Sequence, residues 1–159
     1  MEITLQPLTA EDMPLFTAWL NTDYIYKWFC ETGEEERADW IAGAKANGTD
    51  DKQAHFIVCC GGEKIGYCFY MDIGDYYEED LGIEVGRNFA YEIAYFIGEK
   101  RFLQKGLGKI IIQKLEEKIV EIGGREMLAD ANEENYPSVK VLLDNGFVKW
   151  GEEGFVKRI

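Results

Sequence analysis

The chain is short of cations. Lys and Arg number 17 among its 159 residues, against 30 Asp and Glu, for a formal net charge of −13. Nucleic acid and anionic membrane surfaces need clustered cations, so both are argued against as partners. A small cationic molecule suits the balance better. Long apolar runs are also missing: no stretch nears the roughly 20 residues that cross a bilayer. The start, Met1-Glu2-Ile3-Thr4, lacks the basic and then apolar segments of a secretion signal. Cysteine is confined to Cys30, Cys59, Cys60 and Cys68, at spacings that fit neither a disulfide framework nor a zinc site. A reduced cytoplasm is the simple expectation, with no metal. The single histidine, His55, opens a strand run without a partner nearby and reads as structural. No repeat, linker or low-complexity tract divides the chain, so residues 1–159 are read as one domain.

What is present is globular: 47% hydrophobic and 30% charged residues, on a chain long enough to bury a core. Residues 2–8 alternate as a short edge strand with Pro7 at its end. Thr9 and Asp12 form a loose capping box, and Met13, Phe16, Trp19 and Leu20 follow at helical spacing. A second helix is expected over residues 35–46, stopping at Asn47-Gly48. The link between these helices carries Tyr24, Tyr26, Trp28 and Phe29. Residues 54–60 and 64–72 are β-rich runs around Gly61-Gly62-Glu63, a hairpin signal. An acidic, aromatic stretch, Asp75-Tyr76-Tyr77-Glu78-Glu79-Asp80, precedes a strand at residues 91–97.

A glycine-bearing segment comes next, then a strong helix with Ile111, Ile112, Leu115 and Ile119, ended by Gly123-Gly124. Residues 127–131 form a brief strand. Asn135 opens a helix that stops at Asn145-Gly146, and a hairpin around residues 151–154 finishes the chain. The meander implies antiparallel pairing, and the later strand–helix–strand crossover implies a parallel neighbour pair. The expected class is α/β, with a mixed, mostly antiparallel twisted sheet and helices on both faces.

The glycines of Leu103-Gln104-Lys105-Gly106-Leu107-Gly108-Lys109 lie between a strand and a helix. Glycine there permits positive φ and close backbone approach. Exposed amides and the helix dipole then favour an anion, and Lys105 and Lys109 add charge. Phosphate or pyrophosphate is the chemistry suggested. The loop is neither a Walker loop, lacking Gly-Lys-Ser/Thr, nor a dinucleotide fingerprint, lacking the third glycine. A plain strand–helix turn has the same pattern.

Residues Tyr91-Glu92-Ile93-Ala94-Tyr95-Phe96-Ile97-Gly98, followed by that loop, resemble the acetyl-CoA motif of the GNAT N-acetyltransferase superfamily. Asn135-Tyr136-Pro137-Ser138 with Asp144-Asn145-Gly146-Phe147 resembles its last motif. Within the superfamily the resemblance is to the aminoglycoside 6′-N-acetyltransferase type, and it extends to residues 15–31, to Gly62-Glu63-Lys64-Ile65-Gly66-Tyr67 and to the run at 75–79. The resemblance implies a sheet with two splayed parallel strands and acetyl-CoA in the gap. The amides around Gln104, Lys105, Gly106, Leu107, Gly108 and Lys109 would cradle the pyrophosphate. The strand end, Phe96, Ile97 and Gly98, would pair with the pantetheine arm, and Asn135 and Ser138 would touch it from the other side. Three positions depart from the pattern: Leu103 stands where Gln or Arg is common, Ala94 where the group carries Asp, and Leu142 where it often carries Tyr.

Acetyl transfer needs a neutral amine, whereas a primary ammonium has a pKa near ~10.4. A base must take its proton, directly or through water. Glu92 is the first candidate, on the same strand face as Ala94 and roughly 6.6 Å from it. Asp72, at the end of the preceding strand, is the second. The leaving thiolate, with a thiol pKa near ~8.5, needs little help from an acid. A main-chain amide of residues 95–98 can hold the oxyanion. Trp28, Asp75, Tyr76, Tyr77, Glu78 and Glu79 form a candidate wall for a cationic acceptor, although a charge run also suits a solvated surface. The implied enzyme is an N-acetyltransferase acting by direct attack in a ternary complex, as a monomer or homodimer. Its acceptor would be a small cationic amine such as an aminoglycoside. Acetylation of a protein N-terminus or lysine, or acetyl-CoA binding without catalysis, are the other readings.

Overall fold

Alternating apolar residues build seven strands, and stripes of apolar residues at helical spacing build six helices among the described residues. The computed structural model describes residues 2–159, apart from the side chains of Asp80 and Leu81. The strands are β1 (Ile3–Pro7), β2 (Gln53–Cys60), β3 (Glu63–Asp72), β4 (Ala90–Ile97), β5 (Glu126–Asp130), β6 (Val148–Trp150) and β7 (Gly154–Arg158). The helices are α1 (Met13–Leu20), α2 (Asp23–Phe29), α3 (Glu34–Lys45), α4 (Gly74–Leu81), α5 (Leu107–Glu121) and α6 (Tyr136–Asp144). One sheet runs in the order β1-β2-β3-β4-β5-β7-β6. All neighbours are antiparallel except β4 and β5. That parallel pair is made by the α5 crossover, so the mixed, mostly antiparallel sheet agrees with the expectation.

The β4–β5 ladder is short. It pairs Ala90 with Glu126, Tyr91 with Met127 and Glu92 with Leu128. β4 then continues to Ile97 and β5 to Asp130 without pairing to each other. The two strands are joined at one end and parted at the other.

Period-two alternation divides β4 between two cores. Tyr91, Ile93 and Ile97 join Ile111, Ile112, Leu115 and Ile119 of α5 and Leu142 of α6. Ala94 and Phe96 pack on the other face with Phe16, Trp19 and Leu20 of α1. The four α5 isoleucine and leucine side chains are fully buried, each contributing about 1.5–3 kcal/mol. A smaller cluster of Tyr77, Ala90 and Leu128 seats α4 on the same face as Ala94, at the joined end.

Two segments differ from the sequence expectation. The aromatic link at residues 23–29 is helix α2, because Ile25 and its neighbours reach the α1–α3 core. The acidic run after β3, read in sequence only as an acidic, aromatic stretch, is helix α4, because Tyr77 is buried and anchors it. The capping box at Thr9 forms as read, with the Thr9 N–H donating to Asp12 Oδ2 at 2.9 Å.

Candidate functional site

The open stretch of β4 presents main-chain groups. The Gly98 N–H donates to Ile65 O at 2.7 Å and the Ile73 N–H to Ala90 O at 3.0 Å. Even-numbered residues of β4 therefore spend their backbone groups on β3, and Ile93, Tyr95 and Ile97 turn theirs toward the side that β5 has left. The Ile97 carbonyl accepts from the Tyr24 hydroxyl at 2.6 Å. The remaining edge groups suit an extended amide chain laid against the strand. Of Phe96, Ile97 and Gly98, only Ile97 aims its main chain into the gap. The Phe96 ring sits in the α1–α3 core. Gly98 lies under Trp19, where a Cβ would come within 2.4 Å of the indole.

Across the gap lies the glycine loop. Gln104 (φ 58°) and Gly106 (φ 75°) are both left-handed, so the loop curls its N–H groups inward. Gly106 caps α5 without a side-chain hydrogen bond, which leaves the first-turn amides for an anion. Gln104, Lys105, Gly106 and Lys109 are exposed at this end, whereas Leu107 and Gly108 are buried and Leu103 is half-buried. Gly108 must be glycine: a Cβ there would lie 2.8 Å from the Tyr95 hydroxyl. Asn135 and Ser138 open α6 on the same side, and the Ser138 side chain offsets part of the rise that burial imposes on the Tyr95 phenol. The cradle, the open edge and α6 thus surround one channel, with the polarity a diphosphate and an amide arm require.

The opposite face of the gap is acidic. Glu92 points there with Ala94, in register with Met71 of β3. Burial, reinforced by the Asp130 carboxylate, pushes the Glu92 carboxyl up to about 7. Asp130, at the end of β5, is itself raised by its partly dehydrated position and by Glu153 of the β6–β7 turn. Glu31, after α2, is raised by burial and by the Glu153 and Glu36 carboxylates, with the Asn132 side chain working against the rise. Beside them, residues 132–134 and Lys149 with residues 151–153 line an open cavity of about 740 Å³. Glu92, Asp130, Glu153 and Glu31 thus form a chain of carboxylates in which each feels the negative charge of the next, and Glu153 lines the cavity. A buried base of this pKa beside a negative rim can deprotonate a cationic amine and hold its remaining charges.

Asp72 is not brought to Glu92. It pairs in register with Tyr91 and so points to the other face. Its two oxygens accept from the Gly74 N–H at 3.0 Å and the Asn88 N–H at 2.7 Å, which fixes the turn into α4. The acceptor wall read at residues 75–79 is also divided. Asp75 is tied to Lys52 at 2.6 Å. Tyr77 donates to Glu126 at 2.5 Å and meets Trp150 edge to face. Tyr76, Glu78 and Glu79 are exposed. Trp28 is half-buried, with the Lys27 ammonium 4.7 Å over its ring.

Sequence reasoning missed Glu31, Asp130, Glu153 and the Tyr95 side chain. Asp130 and Glu153 carried no local signal, since only the β5–β7 pairing brings them together. Tyr95 carried one: strand alternation from Glu92 already sends it to the coenzyme-side face. His55 bonds the Tyr67 hydroxyl at 2.7 Å and Gln53 at 2.6 Å, and burial pushes its pKa down to about 4. All four cysteines are buried. Among the described residues no group of three or more His, Cys, Asp or Glu is arranged to hold a metal, and no helix is long and apolar enough to cross a membrane.

Residues 2–148 match the sequence model of the acetyltransferase (GNAT) domain. No curated protein matches the sequence. Among solved structures, AAC(6′)-Ib in complex with ribostamycin and coenzyme A aligns at a TM-score of 0.78 and 18% identity, over 99% of this chain and 94% of that one. The GNAT domain of S. lividans PAT aligns at 0.76 and 17%, over 98% and 89%. A domain from Methanocaldococcus jannaschii aligns at 0.75 and 21%, over 99% of both chains. At these identities the likeness speaks for the fold.

Proposed function

We propose, from the premise that the chain belongs to the acetyltransferase (GNAT) family, that it transfers an acetyl group from acetyl-CoA to a primary amine of a small polycationic acceptor, with aminoglycosides as the leading class. The observation that carries this reading is the open stretch of β4. It has an anion cradle and hydroxyls on one face and a buried carboxyl, Glu92, on the other.

When bound, the cosubstrate supplies a thioester carbonyl open to attack. The protein's part is to place the reactants and to move a proton. The nest at residues 104–108 holds the diphosphate, and the main-chain groups of Tyr95 and Ile97 hold the arm. An N–H of the same edge faces the developing oxyanion. On the far side an ammonium near pKa ~10.4 meets Glu92 at about 7, and the proton passes to that carboxylate directly or through one water. The methyl of Ala94 leaves room beside Glu92 for that water. Glu31, Asp130 and Glu153 hold the acceptor's other ammonium groups, while Trp28, Tyr76, Glu78 and Glu79 offer it an outer surface. Direct attack is supported by the burial of all four cysteines, which pushes Cys30 up to about 11 and Cys68 further.

The test is thiol release from acetyl-CoA over a panel of aminoglycosides, linear polyamines, single-amine sugars and peptide N-termini. Turnover with the multiply charged small amines, and a KM that rises with salt, is the expected outcome. Turnover confined to peptides, or none with any amine, contradicts the reading.

A further inference from the structure

Trp150 of β6 is a large apolar side chain left 42% exposed on the acceptor face of the sheet. The strand registers set Asp130 of β5 opposite Gly154 of β7, and Gly154 opposite Trp150. Residues directly opposite one another share a face, so Asp130 and Trp150 stand on one face with only a glycine between them. Two strand spacings put their backbones roughly 10 Å apart. The same face carries Glu92, which is in register with Leu128, two residues before Asp130. The indole leans over the bare Gly154, with its Cε3 atom 3.7 Å from where a Cβ would stand. Tyr77 holds the ring from the joined end of the sheet, 6.1 Å away and edge to face, and its own hydroxyl is fixed on Glu126. The turn that carries Glu153 is tied to the end of β5, where the Ala131 N–H donates to Glu153 O at 2.9 Å. An exposed indole seated in this way loses little freedom when a ligand covers it.

We propose that Trp150 is a stacking platform for a second ring of the acceptor, so that the acceptor class is an amino sugar of two or more rings. This rests on the acetyl-transfer reading above and narrows its substrate. One ring brings its amine to Glu92. The next lies across Gly154, with its C–H face on the indole and an ammonium toward Asp130. Covering the indole removes apolar surface from water on both partners. An aromatic face also attracts a cation held within about 6 Å of its centroid, and the Asp130 carboxylate takes the charge at the ring edge. A linear polyamine can carry the same charge but has no flat face. It would use Asp130 and leave the indole bare. Asp130 therefore responds to charge, and Trp150 to the shape of the ring that carries it.

Steady-state kinetics with a multi-ring aminoglycoside and with spermine, matched in number of amines, test this. W150L should raise KM for the aminoglycoside roughly tenfold and leave kcat and the spermine KM unchanged. An equal rise for both acceptors would show that Trp150 only packs on Tyr77, and it overturns the proposal, as does no rise for either. Should W150L lose its cooperative melt, W150F decides, read by tryptophan emission without turnover. Emission of the wild-type chain should change on titration with the aminoglycoside and not with spermine, and that change should vanish in W150F. A change that persists in W150F, or none in the wild type, overturns the proposal. A wild-type chain that acetylates spermine and no ring-bearing amine also overturns it while leaving acetyl transfer standing. No turnover of any amine overturns the acetyl-transfer reading itself, a different result from all of these.

Discussion

The two faces of the parted strands work by different means. On the α5–α6 face the groups on offer are main-chain amides and two hydroxyls, held by a nest in which Gln104 and Gly106 are left-handed and Gly108 has no room for a Cβ. On the α1–α3 face they are carboxylates on separate segments, from Glu31 to Glu153. Amides carry no titratable charge and are fixed by the fold, so they suit the constant part of a reaction. Carboxylates titrate, repel one another and can be replaced singly, so they suit the part that selects an acceptor and moves a proton. The same strand serves both, because successive residues of β4 point to opposite sides.

Removing the base should show this contrast most strongly. E92Q should lower kcat by about 10²–10⁴-fold, with coenzyme A affinity by calorimetry unchanged. Loss of affinity in step with kcat would mean that the two faces are not separable. In the wild type, kcat/KM should rise with pH through a midpoint near about 7, since the base must be ionised.

The same substitution should stabilise the fold at alkaline pH. The folded pKa of Glu92 is about 7, above the unfolded value near ~4.3. Between these pH values the unfolded chain releases a proton that the folded chain keeps, so stability falls as pH rises and the penalty is complete above about 7. E92Q should therefore gain about 3 kcal/mol over wild type at pH 9 by denaturant unfolding and nothing near pH 4. A base that costs the fold stability is what a catalytic role predicts and a structural one does not.

On the amide face, G108A forces a methyl against the Tyr95 ring and hydroxyl. A stability loss of about 1–3 kcal/mol and weaker coenzyme A binding are expected, with the pH midpoint of kcat/KM unmoved. A shifted midpoint would couple the faces.

Y77F sharpens the comparison from outside the gap. It removes the buried hydrogen bond to Glu126 and should cost about 1–2 kcal/mol in thermal or chemical unfolding while KM for the amine stays put. A raised KM would return Tyr77 to the acceptor wall. The smallest effect belongs to D130N. Losing a like charge should move the acidic limb of kcat/KM toward lower pH and raise KM for multiply charged amines more than for single ones.

The coenzyme side proposed here is contiguous in sequence. Residues 103–109 carry the glycines, the lysines and the helix start in a single run, and backbone chemistry needs little else. Glu92 was legible for a related reason: it is two residues from Ala94, and period two fixes its face. Glu31, Asp130 and Glu153 were not, because Asp130 stands 99 positions after Glu31, and Glu153 another 23 positions on. Only the fold brings each within reach of the next one's charge. The fold divides the run at residues 75–79. Its charges drew attention in sequence, yet Tyr77 is spent on burial and Glu126, and Asp75 on Lys52.

The ionisation of Glu92 can be followed without knowing the acceptor. A carboxyl-carbon NMR titration of the selectively labelled chain, with E92Q to assign the signal, should give a midpoint near about 7 that falls in D130N. A midpoint near the ordinary ~4.3 of a solvated glutamate, unmoved by D130N, would contradict a base held ready on the acceptor face.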